Sequence, residues 1–214
     1  MVGSLRHCLS LTLAGLFSLV QTDLGNLEQP DLKITLRIYN YGPVQSEMLI
    51  RAEQEVTRIY RNIGVETVWL GQPLAVETME ERPPSDQKPD IVLNIVAHAM
   101  SEALVERSTL GLAPGAGRQR DLAYVFYDRV DKLSRNQIAA AARGKMGRWA
   151  TTGQLLGYAI AHEVGHLLGL SHSSIGIMRE GWLWSDLLDA AYGDLGFTPQ
   201  QAEVIRMEVR IRKH

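Results

Sequence analysis

Three of the six histidines of this 214-residue chain fall within one short stretch, HEVGHLLGLSH, residues 162–172. On a helix, positions four apart lie on one face, so His162 and His166 can present two imidazoles to a single metal ion. Glu163 is one residue round from the first, offset from the metal axis, where it can reach a water on that ion without being a ligand. His172 comes too far along to share the face if the helix simply continued, so the chain must turn before it. Gly169 supplies the residue type most tolerant of the left-handed backbone that ends a helix and swings His172 back under the ion. Three neutral nitrogens plus one open position make the tetrahedral zinc site of a catalytic rather than a structural metal. An isolated HExxH fixes only three positions and arises by accident; the extended pattern with Gly169 and His172 is far more specific. His7, His98 and His214 have no comparable setting and are assigned no role.

Several elements must hold this stretch in place. LKITLRIYNY alternates Leu32, Ile34, Leu36 and Ile38 on one side, the period of a half-buried strand. SEMLIRAEQEVTRIYRNIG carries Leu49, Ala52, Val56, Ile59 and Ile63 at helical spacing and stops at Gly64, which predicts an amphipathic helix. VETVWL (65–70) and DIVLNIVAH (90–98) read as strands, separated by the Pro- and charge-rich loop EERPPSDQKPD. Two short apolar stretches follow around a Gly- and Arg-bearing turn, with 123–130 the better strand and the segment from Leu110 to Pro114 a possible edge. A long helical region comes next, interrupted near 144–153, whose last part runs from about Thr152 to Leu168. There Leu156, Ile160, Val164 and Leu168 form one stripe, and Leu155, Ala159, His162 and His166 another. TPQQAEVIRMEVRIR has Thr198 as N-cap, Pro199 at the first helical position and Gln201 three after the cap, so a closing helix is well specified.

Composition sets the outer bounds. With 45% hydrophobic and 21% charged residues, the chain can bury one sizeable core. A formal net charge of −2 without a long basic run leaves no electrostatic footprint for nucleic acid. Arg6 precedes an uncharged, Leu-rich run from Cys8 to Val20, the order of a secretory signal and too short for a membrane span. The expected organisation is a signal peptide over 1–20, a linker or propeptide-like segment over 21–31, and a catalytic domain over 32–214. The expected location is secreted or periplasmic, or cytoplasmic if the N-terminus is a buried helix instead. Cys8 is the only cysteine, so no intrachain disulfide can form.

Through HEVGHLLGLSH and the following SSIGIM, the sequence resembles the metzincin zinc metallopeptidases. In that family a methionine turn passes beneath the zinc-binding histidines, and Met178 is its counterpart here, acting by packing and not as a ligand. Ser173 directly after His172 is most similar to the matrixin branch, as is the position of the closing helix. The motif resemblance covers about residues 154–180, and the order of elements extends it loosely over 32–212. Departures are plain: the connection from His172 to Met178 is short, MRE replaces the usual Met-Tyr-Pro, and no cysteine-switch motif stands before the domain. No tyrosine closely follows Met178, which removes the extra tyrosine ligand of astacins and serralysins. No clear structural-zinc histidine set or calcium loop is found, so ions beyond one catalytic Zn2+ are left open.

The fold this implies is α+β, of the layered α/β type of a metzincin catalytic domain. A twisted mixed sheet with an edge strand for substrate is expected, with an N-terminal backing helix, an active-site helix carrying HExxH, and a C-terminal helix. The resemblance implies a zinc endopeptidase in which Glu163 acts as general base on a zinc-activated water. A peptide or protein substrate would lie extended along an edge strand, either the Leu110 to Pro114 segment or 123–130. Arg179, Trp182 and Trp184 are candidates to line the pocket for the side chain after the cut. Asp23 is a candidate for reaching the zinc to impose latency, with a plain linker carboxylate the weightier reading. A monomer without a stable membrane span is expected. The alternatives are a zinc hydrolase of a non-protein amide, a non-catalytic metal-binding module, and a purely structural protein; Glu163 argues against the second, since a structural site needs no general base.

Overall fold

The computed structural model describes residues 32–70, 90–97, 109–114, 121–144 and 148–212. Residues 1–31, over which a signal and linker are expected and which include His7 and Asp23, together with His98, His214 and most of the EERPPSDQKPD loop, lie outside the described residues. Among the described residues, no helix is long and apolar enough to cross a membrane.

The chain forms β1 (Lys33–Asn40), α1 (Ser46–Arg61), β2 (Glu66–Trp69), β3 (Ile91–Val96), β4 (Gly111–Leu112) and β5 (Leu122–Phe126). Helices α2 (Tyr127–Ala142), α3 (Thr152–Leu167), α4 (Trp184–Tyr192) and α5 (Pro199–Arg212) follow. The strands make one sheet in the order β2-β1-β3-β5-β4. All neighbours are parallel except β4, which runs antiparallel to β5 along the outer edge. This is the expected mixed sheet with an edge strand, and it fixes which of the two proposed segments is the edge. β5 is enclosed between β3 and β4, so 123–130 is excluded from that role.

The period-2 pattern of β1 holds, with Ile34, Leu36 and Ile38 buried, and Ile91, Leu93 and Ile95 of β3 are buried in the same alternation. α1 buries Leu49, Ala52, Val56 and Ile59 as its spacing predicts, and Gly64 follows it with φ 76°. α3 is the central element, buried almost all round from Gly153 to Leu167. Its start is fixed by a reciprocal cap, Gln154 N–H to Thr151 Oγ1 at 3.2 Å and Thr151 N–H to Gln154 Oε1 at 3.0 Å. α1 crosses it closely because a Cβ on Gly157 would stand 2.6 Å from Glu55 Cβ and 2.8 Å from the Ala52 carbonyl. Tyr60 ties the crossing with an O–H donated to the Ala161 carbonyl, 3.1 Å. Leu155, Leu156 and Ile160 are fully buried, each contributing on the order of 2 kcal/mol by transfer from water.

Two segments differ from the sequence expectation. The strand expected over 123–130 ends at Phe126, and Tyr127 opens α2, because Val130, Ser134, Gln137 and Ala140 recur at helical rather than strand spacing and are the residues buried. The stretch after Met178 contains a helix, α4, that the sequence pattern does not announce. Asp186 Oδ2 accepts from Leu183 N–H at 2.7 Å, Leu187, Ala190 and Ala191 face inward, and Gly193 ends the helix at φ 85°. α5 starts as expected, with Gln201 N–H on Thr198 Oγ1 at 3.2 Å and Thr198 N–H on Gln201 Oε1 at 2.9 Å.

Candidate metal centre and cleft

His162 and His166 lie in the last two turns of α3. The helix closes with Gly169 at φ 90°, with Gly169 N–H on the His166 carbonyl and Leu170 N–H on the Gly165 carbonyl, both 3.0 Å. The turn carries the chain under the helix end and brings in His172. The three Nε2 atoms converge: 3.0 Å separates those of His162 and His166, and 3.1 Å those of His166 and His172. Among the described residues, this is the group of histidine, cysteine and acidic side chains placed to hold a metal ion.

The outer nitrogens determine what those Nε2 atoms can do. Nδ1 of His162 lies 2.7 Å from the Ile177 carbonyl, and Nδ1 of His166 lies 2.8 Å from the Leu170 carbonyl. A carbonyl can only accept, so each Nδ1 carries the proton and each Nε2 presents a lone pair to the other. Two acceptors at that separation cannot bond to one another; a shared cation satisfies both. A tetrahedral ion with Zn–N near 2.05 Å needs nitrogens about 3.3 Å apart, close to the spacing present. The donor set therefore fits zinc. Burial favours the neutral rings: it lowers the pKa of His162 to about 4 and that of His166 below its ordinary value, against a smaller opposing effect of the carbonyls.

Glu163 is buried beside His162, and desolvation raises its pKa to about 8, partly offset by the hydrogen bond it accepts from the Ala113 backbone N–H. Met178 is fully buried beneath the same turn of α3, where a Cβ on Gly165 would meet its sulfur at 2.7 Å. The absence of a side chain at Gly165 thus leaves the room that the methionine occupies against the histidine-bearing helix. Met178 also closes the return loop, its carbonyl accepting from Ser173 N–H at 2.9 Å.

A cavity of about 600 Å³ opens over these groups. Gly111 and Leu112 of β4, Leu133 of α2, and Arg179 and Trp182 of the return loop are among its walls. Arg179 and Trp182 thus line the cavity over the histidines. Trp184 is not among those walls: it starts α4 and is exposed. Arg179 forms an ion pair with buried Asp186, Nε to Oδ2 2.8 Å, without an aligned hydrogen bond from Nε. Trp182 donates Nε1–H at 3.1 Å to the Ile177 carbonyl, the acceptor that also takes His162 Nδ1–H. Its ring stands edge-on to Tyr158. Sequence reasoning misses α2 as a cleft wall, Gly165 as the seat of Met178, and Glu180, whose Oε1 is 4.0 Å from His172 Nδ1. For Gly165 a signal exists, since it lies inside HExxH where a small residue is otherwise unneeded.

A mixed, mostly parallel sheet with a three-histidine centre at the end of its central helix defines the class of site. No protein-family profile matches the chain, and no curated protein matches it. Among solved structures, the archaemetzincin of Methanopyrus kandleri is similar, with 15% sequence identity and a TM-score of 0.47 over 86% of this chain and 99% of that one. The functional conclusion rests on the geometry of the site itself.

Proposed function

We propose that this protein is a zinc-dependent hydrolase of peptide bonds in which His162, His166 and His172 hold the ion and Glu163 handles the proton. One observation carries the reading: imidazole nitrogens converge at 3.0 and 3.1 Å beside the buried carboxyl of Glu163. Zinc, when bound there, supplies a Lewis acid that polarises a carbonyl and lowers the pKa of water toward 7. The remaining chemistry belongs to the chain. Glu163 accepts a proton from water and delivers it to the departing amine, and proximity to a cation favours its ionised form over the neutral form that burial alone favours. The carbonyls of Ile177 and Leu170 hold two of the rings in the tautomer that leaves Nε2 free.

The edge strand supports an extended peptide over a compact amide. Phe126 N–H donates to the Leu110 carbonyl, so Leu110 and Leu112 spend their main-chain groups on β5. Those of Gly111 and the Ala113 carbonyl consequently point out of the sheet, along the cleft, where a substrate strand can pair, while the Ala113 N–H is taken by Glu163. Endopeptidase action belongs to this proposal. The matrixin branch does not, since neither the fold nor the three-histidine site supports that finer assignment.

The test is metal content and peptide-library cleavage of the purified protein, with and without chelator, beside Glu163→Gln. One zinc per chain and chelator-sensitive cleavage are expected. Glu163→Gln should keep the zinc and lose turnover by about a hundredfold or more. Cleavage that survives both the chelator and the substitution would sink the proposal. Zinc retention without cleavage of any library peptide would move the reading to a non-protein amide.

A further inference from the structure

β4 is only two residues long, yet it bears directly on Glu163. A Cβ built on Gly111 would lie 2.5 Å from Glu163 Oε1, 2.6 Å from its Cγ and 2.7 Å from its carboxyl carbon, all well inside van der Waals contact. The missing side chain is thus the space in which the carboxylate sits. Two residues on, the Ala113 N–H is one of the groups that the antiparallel register turns away from β5, and Glu163 accepts from it. The α3 backbone fixes the Cα of Glu163, but three side-chain torsions remain, and the adjoining cavity offers the carboxylate other places to go.

We propose that β4 is the positioning element for Glu163, with Gly111 leaving the room its carboxylate occupies and the Ala113 N–H fixing it there. The proposal rests on the reading of Glu163 as proton acceptor. It makes Gly111 a positioning residue fifty-two positions away in sequence. The overlap falls on the Glu163 side chain from Cγ outward and not on backbone, so a methyl group at Gly111 displaces the carboxylate toward the cavity while the fold and the three histidines stay.

The experiment compares wild type, Gly111→Ala, Glu163→Ala and the double variant for zinc content, thermal unfolding, kcat and KM. Amide hydrogen exchange at Ala113 is measured in the same four proteins. Gly111→Ala is expected to keep its zinc, to lower kcat by about tenfold or more with little change in KM, and to speed exchange at Ala113 as Glu163→Ala does. In the Glu163→Ala background the second substitution should lower kcat no further, because nothing remains for the methyl group to displace. Wild-type kcat in Gly111→Ala would overturn the proposal, as would an equal loss in both backgrounds. Should Gly111→Ala fail to fold, wild type and Glu163→Ala still decide: equal exchange at Ala113 in those two overturns the contact. A fully active Glu163→Ala would instead sink the proton-acceptor reading on which the proposal stands.

Discussion

The three convergent histidines are held in two different ways. His162 and His166 sit on a buried helix, one turn apart, and each outer nitrogen is tied to a backbone carbonyl within 2.8 Å. His172 sits on the return loop with a side chain 44% exposed, and its outer nitrogen lies 4.0 Å from the Glu180 carboxylate, which is 76% exposed. The loop is kept in place by Gly169, by Ser173 N–H on the Met178 carbonyl, and by Gln201 reaching Ser173 from α5. The helical pair is preorganised by secondary structure that core packing stabilises. The third nitrogen depends on a turn and a few hydrogen bonds near solvent, so it is the part of the centre that order, pH and substitution should disturb first.

The difference can be broken most severely at the ligands. His162→Ala and His166→Ala should each abolish stoichiometric zinc, since each removes one nitrogen of the preorganised helical pair. His172→Ala should retain weak binding through the helical pair, reduced by more than about a hundredfold, which exceeds the usual effect of altering an outer partner. Chelator competition on the three variants ranks them, and tighter binding in His162→Ala than in His172→Ala would contradict the two-region picture.

A second effect, on the order of 3 kcal/mol, should appear in the metal-free protein as pH changes. The folded pKa of His162, about 4, lies below its unfolded value, so its contribution to stability is present above pH 6.5 and is lost as pH falls toward 4. Glu163, raised to about 8, acts in the opposite sense: its contribution is present below about 4.5 and is lost as pH rises through 8. The two oppose each other between about 4.5 and 6.5; above that Glu163 acts to 8, joined up to about 7 by Glu53, which burial raises to about 7. Melting temperatures of the metal-free protein should fall between pH 6.5 and 8, and Glu163→Gln should flatten that fall. A decline unchanged in Glu163→Gln would assign it elsewhere.

Smaller still is Gly169→Ala. A Cβ there meets only Val204, at 3.9 Å, so the expected cost of about 1–2 kcal/mol comes from the left-handed backbone at φ 90°. The loss should fall on the arm carrying His172: zinc affinity should drop toward that of His172→Ala while the helix content measured by circular dichroism holds. Least of all, Glu180→Gln should weaken zinc by only a few-fold, given the distance and exposure of the pair. A loss approaching that of His172→Ala would show that the carboxylate holds the ring more tightly than that separation suggests.

Much of the centre is legible in the amino-acid sequence, and the reasons are local. Helix periodicity places His162, Glu163 and His166, since four residues make about one turn whatever surrounds them. Gly169 announces its own turn, because φ 90° is a conformation that side chains resist. β1 declares itself by alternating burial and α1 by burial at helical spacing, and α3 and α5 begin at short-range caps. What tertiary structure alone decided has no period or residue type to mark it. β4 is too short to show an alternation, and only pairing with β5 makes it an edge. α2 takes over at Tyr127 because the side that carries Val130, Ser134, Gln137 and Ala140 at helical spacing is the one that becomes buried, and the helix packs on α3. The acceptors that orient His162 and His166 are main-chain carbonyls, which every residue carries and no sequence distinguishes. The fit of Glu163 against Gly111 likewise exists only once chain segments fifty-two residues apart are brought together. The sequence by itself determined which atoms can do the chemistry, and long-range packing decided where those atoms are held.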